Sequence, residues 1–271
     1  MKTVMKKGKL RPAFKIHGGK HYLANWIIEQ FPPNYRELVY VEPYCGAANV
    51  LLSKDPSREE YLNDLDPGVI SILRTLRDRC PDYVSHLKRI EYKKENFEKA
   101  LAKTTFTNDL DFAINEFILR RMSRDGLKKA FAWSDRKRGG QPGDVNAWQT
   151  ILSQLHLIAE RLNHILIFNS LALNVINAFN EPDVLIYCDP TYLPDTRVSK
   201  DAYEFEMNLD DHLELAEELN TFKGKVVLSG YPSNLYSRLY SNWQCVKKQI
   251  ANHSSQQKKK QVKTECLWKN Y

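Results

Sequence analysis

Leu38-Val39-Tyr40-Val41-Glu42-Pro43-Tyr44-Cys45-Gly46-Ala47 is the stretch on which the fold turns. Four apolar residues bounded by turn formers read as a strand buried on both faces, the pattern of a parallel sheet. The strand runs out into a corner with a proline and a glycine. A small residue there lets the backbone approach a ligand at the carboxyl edge of the sheet. Asp64 follows Gly46 by 18 residues and ends a second short run, Glu60-Tyr61-Leu62-Asn63. An acid in that place typically accepts hydrogen bonds from ribose hydroxyls. Taken alone, the pair is more often an ordinary strand-to-helix turn and a helix-capping acid, since a lone glycine is a weak signal.

Upstream, His21 to Phe31 carries Tyr22, Leu23, Trp26, Ile27 and Phe31 at helical spacing, closed by Pro32-Pro33. Downstream, a short helix is expected through Leu52, and Asp66-Pro67 opens another with Val69, Ile70, Ile72, Leu73 and Leu76 on its apolar side. Over residues 74–164 the pattern becomes helical and highly charged, without strand alternation. Inside it, Trp133–Asp144 is a basic loop with three glycines and a proline, long enough to read as functional. Asp144 is expected to cap the helix that runs on to Leu162. Strands return at Ile165–Phe168, Val184–Cys188 and Lys225–Ser229, with a helix from Asp210 to Phe222. Trp243–Ile250 and Gln261–Trp268 read as an antiparallel pair joined by the polar stretch Asn252–Lys260. The fold class expected is α/β: a doubly wound, Rossmann-like sheet built from residues 1–73 and 165–271, interrupted after its second strand by a mostly helical insertion, 74–164. Trp26 and Trp148 are expected in the core.

The chain has 271 residues, 42% hydrophobic and 27% charged, which fits a folded domain rather than a disordered segment. Forty Lys and Arg against 33 Asp and Glu leave a net charge of +7. Residues 1–20 hold Lys2, Lys6, Lys7, Lys9, Arg11, Lys15 and Lys20 and no acid. Arg120, Arg121, Arg124, Lys128, Lys129, Arg136, Lys137 and Arg138 crowd into 19 positions with only Asp125 and Asp135 among them. Clustered positive charge is the electrostatic footprint of nucleic-acid binding, although any one cluster alone can be a solvated face. Five dispersed cysteines without a CxxC fit a reduced, cytoplasmic protein with no zinc site. No run approaches the ~18 apolar residues of a membrane span.

Two more motifs complete the chemistry. Asp189-Pro190-Thr191-Tyr192 follows the buried run Val184–Cys188. A rigid corner of this kind offers one carboxylate, one free carbonyl and one ring. The two oxygens can accept both hydrogens of an exocyclic amine while the ring stacks on its base. A bare tetrapeptide of this sort is otherwise an Asp-Pro turn with a surface tyrosine. Near the N-terminus, Lys15-Ile16-His17-Gly18-Gly19-Lys20 sets paired glycines before a helix, where backbone amides and a lysine can meet an anionic group.

In that order, the motifs resemble the Dam-type DNA adenine-N6 methyltransferases, the alpha group of S-adenosylmethionine-dependent amino methyltransferases. That family runs Lys-x-x-Gly-Gly-Lys, then Glu-Pro-Phe-x-Gly after the first strand, an acid after the second, a target-recognition insertion, and Asp-Pro-Pro-Tyr. The resemblance covers nearly the whole chain. It implies that Ile16, Lys20, Glu42, Pro43, Tyr44, Gly46, Asp64 and Asp189 contact S-adenosylmethionine. It implies further that Asp189, Pro190 and Tyr192 hold a flipped adenine, and that Arg120, Arg121, Arg124, Lys128, Lys129, Arg136 and Arg138 serve double-stranded DNA. No metal is implied, and the setting is a bacterial or phage-infected cell, with a restriction nuclease as one partner such enzymes have. Three positions depart from the pattern. Ile16 stands where tryptophan is common, Thr191 replaces the second proline, and Ile167–Ala172 lacks the acid often seen before the fourth motif, leaving Asn169 or Ser170 for the adenine end of the cofactor.

Two other readings stay open. One is an amino methyltransferase acting on cytosine N4, RNA or a protein amide, which product analysis separates. The other is a non-catalytic DNA-binding relative, which would shift DNA without transferring a methyl group. Trp133 is expected either to stack on DNA or to anchor its loop, the second being the commoner use of a tryptophan.

Overall fold

The computed structural model describes residues 10–138, 140–197, 204–251 and 262–271. The basic residues Lys2, Lys6, Lys7 and Lys9, and the Asn252–Lys260 connection, lie outside the described residues. In chain order the helices and strands are α1 (Ala24–Ile28), β1 (Val39–Glu42), β2 (Glu59–Asn63), α2 (Pro67–Lys88), α3 (Lys94–Ala102) and α4 (Asp109–Met122). They continue with β3 (Lys137–Arg138), β4 (Gln141–Pro142), α5 (Gly143–Leu162), β5 (Leu166–Phe168), α6 (Ala172–Ala178), β6 (Val184–Cys188) and α7 (Leu209–Thr221). The last are β7 (Lys225–Gly230), α8 (Asn234–Leu239), β8 (Gln244–Ala251) and β9 (Val262–Lys269).

The chain packs as two compact units, one of residues 1–28, 46–55 and 66–169, the other of residues 29–45, 56–65 and 170–271. These packing units do not follow the 74–164 division, because the N-terminal segment and α2 pack with the insertion.

The second unit carries six strands of the main sheet in the order β2-β1-β6-β7-β9-β8. β2, β1, β6 and β7 are parallel, with Val39 opposite both Glu59 and Val184, and Leu185 opposite Lys225. β9 turns the sheet antiparallel, pairing Val227 with Lys269, and β8 follows it in the same sense. β1 and β6 are buried at every position, as central parallel strands covered on both faces must be. The helices between strands supply the cover. α7 opens with a capping box, Asn208 accepting from the Asp211 amide while the Asp211 carboxylate accepts from the Asn208 amide. Its Leu215 and Leu219 then pack with Val226 and Leu228 of β7. The chain runs from β1 to β2 on one side and places β6 on the other, so the strand order reverses at β1. In an open α/β sheet that reversal, at the carboxyl ends of the strands, is where ligands bind.

The first unit is mainly helical. Asp66 accepts hydrogen bonds from the Gly68 and Val69 amides at 2.8 and 3.2 Å, and Pro67 takes the first helical position, so α2 starts where the sequence places it. α2 packs on α4 and α5 around Tyr83, Phe117 and Trp148, with ring centroids 5.9 and 5.5 Å apart in sequence. Trp148 and Trp26 are core residues, as expected.

Three local expectations are corrected. The N-terminal helix is only five residues long, ending at Ile28. The stretch through Leu52 forms turns instead of a helix, because Gly46 and Ala48 sit at φ +49° and +53°. α5 begins at Gly143 with no side-chain cap, so Asp144 lies inside the first turn. There its charge still favours the helix dipole. Among the described residues no helix is long and apolar enough to cross a membrane.

Candidate active site

In the sheet unit, two corners stand at the carboxyl ends of the adjacent strands β1 and β6. The first is Glu42-Pro43-Tyr44. Glu42 is buried, and its Oε1 accepts the Tyr40 hydroxyl at 2.8 Å. Asn63, fully buried at the end of β2, ties this corner down. Its Nδ2 donates to the Pro43 carbonyl at 2.9 Å and to the Ser170 carbonyl at 3.0 Å, and its Oδ1 accepts from the Ser170 amide at 3.0 Å. The Asn63 carbonyl also accepts from the Cys45 amide at 2.8 Å. Asn63 thus holds the corner that precedes Gly46 and the segment after β5, and leaves its neighbour Asp64 half-buried at the edge. Sequence reasoning missed it. The available signal was an amide side chain at the last position of a buried strand, where an apolar residue is usual. Tyr44 is half-buried, and burial, with the Cys188 thiol beside it, holds its phenol far above the usual range, so it is a neutral ring.

The second corner is Asp189-Pro190-Thr191-Tyr192. Asp189 is half-buried and Pro190 buried. Tyr187, two residues earlier, hydrogen-bonds Ser229 of β7 at 2.8 Å and firms the strand end under Asp189. Tyr192 is 6% exposed, and its hydroxyl donates to the Glu265 carboxylate. The Tyr231 ring meets the Tyr192 ring edge-on at 4.6 Å. Thr191 has its own use, since its Oγ1 accepts the Met207 amide at 3.0 Å, a bond a proline cannot make.

The N-terminal motif belongs to the helical unit. The Gly19 amide donates to the Ile16 carbonyl at 3.2 Å, and the buried Lys20 donates to the Gly18 carbonyl at 2.9 Å. Ile16 lies over Gly46, where an added Cβ would come within 3.3 Å of Ile16 Cδ1. Gly46 is therefore favoured by its positive φ, and an added Cβ would also press on Ile16. Nearby Asn49, whose Nδ2 approaches Gly19, keeps a buried Oδ1 with no hydrogen-bond partner among the described residues. Asn49 thus leaves one buried acceptor beside Gly19 and Ile16.

The basic cluster divides by environment. Arg124, Lys129 and Arg136 are exposed. Arg121 is half-buried and donates to the Ala147 carbonyl at 3.2 Å, and burial brings its pKa down to about 10. Lys128 lies 3.4 Å from Glu116. Arg120 is a correction. It is 3% exposed, paired to Asp66 at 2.6 Å and Glu116 at 3.1 Å, with its guanidinium 5.8 Å from the Phe14 ring centre. Those bonds leave it facing the interior rather than DNA. Arg138 sits in β3, and its side chain lies outside what is described. The loop expected over Trp133–Asp144 contains a minimal hairpin, β3 with β4. Trp133 is half exposed, stacks on Phe131 at 6.2 Å, and donates to Asp135 at 2.8 Å, so one face is anchored and the other free to solvent.

Residues 17–260 match the family model described as D12 class N6 adenine-specific DNA methyltransferase. A DNA adenine methylase of Vibrio cholerae is 26% identical over 243 residues, covering 86% of this chain and 85% of that protein. A DNA adenine methylase of Haemophilus influenzae is 22% identical over 275 residues, covering 96% and 93%. Among solved structures, the rRNA methyltransferase aviRa from Streptomyces viridochromogenes aligns over 96% of this chain and 88% of that chain, with 12% identity and a TM-score of 0.42. At that distance the strand order, not the likeness, defines the fold.

Proposed function

The chain belongs to the D12 class N6 adenine-specific DNA methyltransferase family, and from that premise we propose that Asp189, Pro190 and Tyr192 receive an adenine flipped out of double-stranded DNA. The observation that carries this reading is the pair of corners, Glu42–Tyr44 and Asp189–Tyr192, on neighbouring strands where the sheet order reverses.

S-adenosylmethionine supplies an activated sulfonium methyl group, so no covalent enzyme intermediate is required. In the sheet unit, Asp64 accepts from ribose hydroxyls, and Glu42, Pro43 and Tyr44 form the floor of the cofactor site. In the helical unit, Ile16, Gly46 and Lys20 are the residues that would contribute to holding the cofactor, Ile16 by apolar contact, Gly46 by its small size and Lys20 by its charge. The Asp189 carboxylate and the Pro190 carbonyl accept the two N6 hydrogens, which favours a pyramidal nitrogen with its lone pair turned outward. Tyr192 supplies a stacking surface. Catalysis in this reading is alignment and hydrogen bonding: bound S-adenosylmethionine would supply the methyl group, and Asp189 would accept the proton that N6 gives up. Residues 74–164 form the target-recognition part. Arg124, Lys129 and Arg136 contact phosphates, and flipping follows from the need to bring N6 out of the stack.

The test is transfer of labelled methyl from S-adenosylmethionine to unmethylated plasmid DNA, followed by nucleoside analysis. N6-methyladenine is the expected product, and Asp189→Ala is expected to lower its formation by at least ~10³-fold while DNA binding persists. Label in N4-methylcytosine or in RNA alone, or near-wild-type activity of Asp189→Ala, sinks the proposal.

A further inference from the structure

β9 reads from sequence as a plain antiparallel strand, yet it buries a carboxylate. Glu265 is 2% exposed, next to the core residues Cys266, Leu267 and Trp268. Burying a carboxylate in a sheet is costly unless something specific binds it. Here the Tyr192 hydroxyl donates to Glu265 Oε1. The register places it, since Gly230 pairs with Cys266 and Ser229 with Leu267, so Glu265 follows outward beside Tyr231. Two residues away on the same strand face, Lys263 holds its ammonium 5.1 Å from the Tyr231 ring centre. Tyr231 in turn stands edge-on to Tyr192. One strand therefore fixes Tyr192 twice, through its hydroxyl and through the ring packed against it.

We propose that Glu265 is a positioning residue for methyl transfer, holding the Tyr192 ring in the plane on which the target adenine stacks. This rests on the target-pocket reading above. A phenylalanine would offer the same stacking area, so the hydroxyl–carboxylate pair contributes orientation. The bond at the hydroxyl fixes the direction of the ring's long axis, the Tyr231 edge packed against it limits its turn about the Cβ–Cγ bond, and a base stacked on a ring so held keeps N6 in line with Asp189. The hydrogen bond is charge-assisted, the stronger class.

The test compares wild type, Glu265→Gln, Glu265→Leu, Tyr192→Phe and the Tyr192→Phe/Glu265→Leu double variant. Three quantities are measured: single-turnover methyl transfer to adenine in DNA at saturating cofactor, equilibrium affinity for S-adenosylmethionine, and thermal midpoint. Loss of a hydrogen bond to a charged group predicts transfer about 10- to 100-fold slower in Glu265→Leu and in Tyr192→Phe. Cofactor affinity should stay within about twofold. Glu265→Gln, whose amide oxygen still accepts, should recover most of the rate, and the double variant should be no slower than the slower single one. The inference is overturned if Tyr192→Phe or a folded Glu265→Leu transfers at the wild-type rate, or if the two losses multiply. It is also overturned if rate, cofactor affinity and midpoint fall together in Glu265→Gln, which would mark a purely structural role. A wild-type chain that methylates no adenine overturns the target-pocket reading as well. Wild-type activity matched by Glu265→Leu overturns this inference alone.

Discussion

His212 is wholly buried on α7, its Nδ1 2.9 Å from the Tyr236 hydroxyl and its Nε2 without a partner among the described residues. Burial lowers its pKa to about 4, with Asp211 pulling it up and Arg197 pushing it down by smaller amounts. The folded protein thus refuses a proton that the unfolded chain accepts near pH 6.5. Stability contributed by the neutral ring is intact above pH ~6.5 and is lost as pH falls toward 4, by up to about 3 kcal/mol. Urea unfolding at pH 7, 5.5 and 4.5 should show this decline, and His212→Gln should flatten it. Equal slopes in both proteins would mean that other groups carry the acid sensitivity. In the sequence, His212 sits beside two acids and looks like a solvent-facing position. Only the packing of α7 turns it inward.

The segment that joins α4 to the hairpin makes the same point for an element. Asp125, Gly126 and Lys128 all take positive φ, at 54°, 75° and 59°. The coil they make brings Gly126 so close to the N-terminal motif that a Cβ there would sit 2.4 Å from the Lys15 carbonyl oxygen. Lys15 reaches back to the Ser123 carbonyl at 3.5 Å, and the Lys128 amide donates to the Ser123 hydroxyl at 3.0 Å. Gly126→Ala should destabilise the protein by at least about 2 kcal/mol in urea unfolding and weaken cofactor binding by displacing Ile16. Gly140→Ala, at φ +82° with nothing within 4 Å, should cost only about 1 kcal/mol. Equal effects of the two substitutions would remove the contact with Lys15 as the cause. Elements of this kind are hard to read in a sequence, because positive φ at Asp125, Lys128 and Ala48 leaves no compositional mark. The parallel strands were legible for the opposite reason, since burial on both faces forces unbroken apolar runs such as Val184–Cys188. The hairpin stayed hidden because strands of two residues carry no alternation.

For the molecule as a whole, the order of motifs along the chain was enough to name the corners at β1 and β6, because backbone geometry at a strand end demands particular residue types. The charge pattern was not enough, because a sequence counts charges without showing their partners. Arg120 sits in a basic run yet spends its charge on Asp66 and Glu116, while Arg124, Lys129 and Arg136 in the same run reach solvent. The two situations predict different responses to salt. A side chain that displaces a condensed counterion contributes close to one unit to the slope of log K against log salt. Arg124→Ala, Lys129→Ala and Arg136→Ala should therefore each flatten the slope of duplex binding by about 1, alike on any sequence unless the residue also reads a base. Arg120→Gln should leave the slope of the folded fraction unchanged and cost about 3 kcal/mol of stability, because buried Glu116 and half-buried Asp66 lose the guanidinium they share and only Lys128 stays beside Glu116. Fluorescence anisotropy on a labelled duplex over a salt series measures the slopes, and denaturant unfolding measures the stability. A flattened slope in a fully stable Arg120→Gln would put that guanidinium on the DNA. Unchanged slopes in all three surface variants would move the phosphate contacts to another face of the protein.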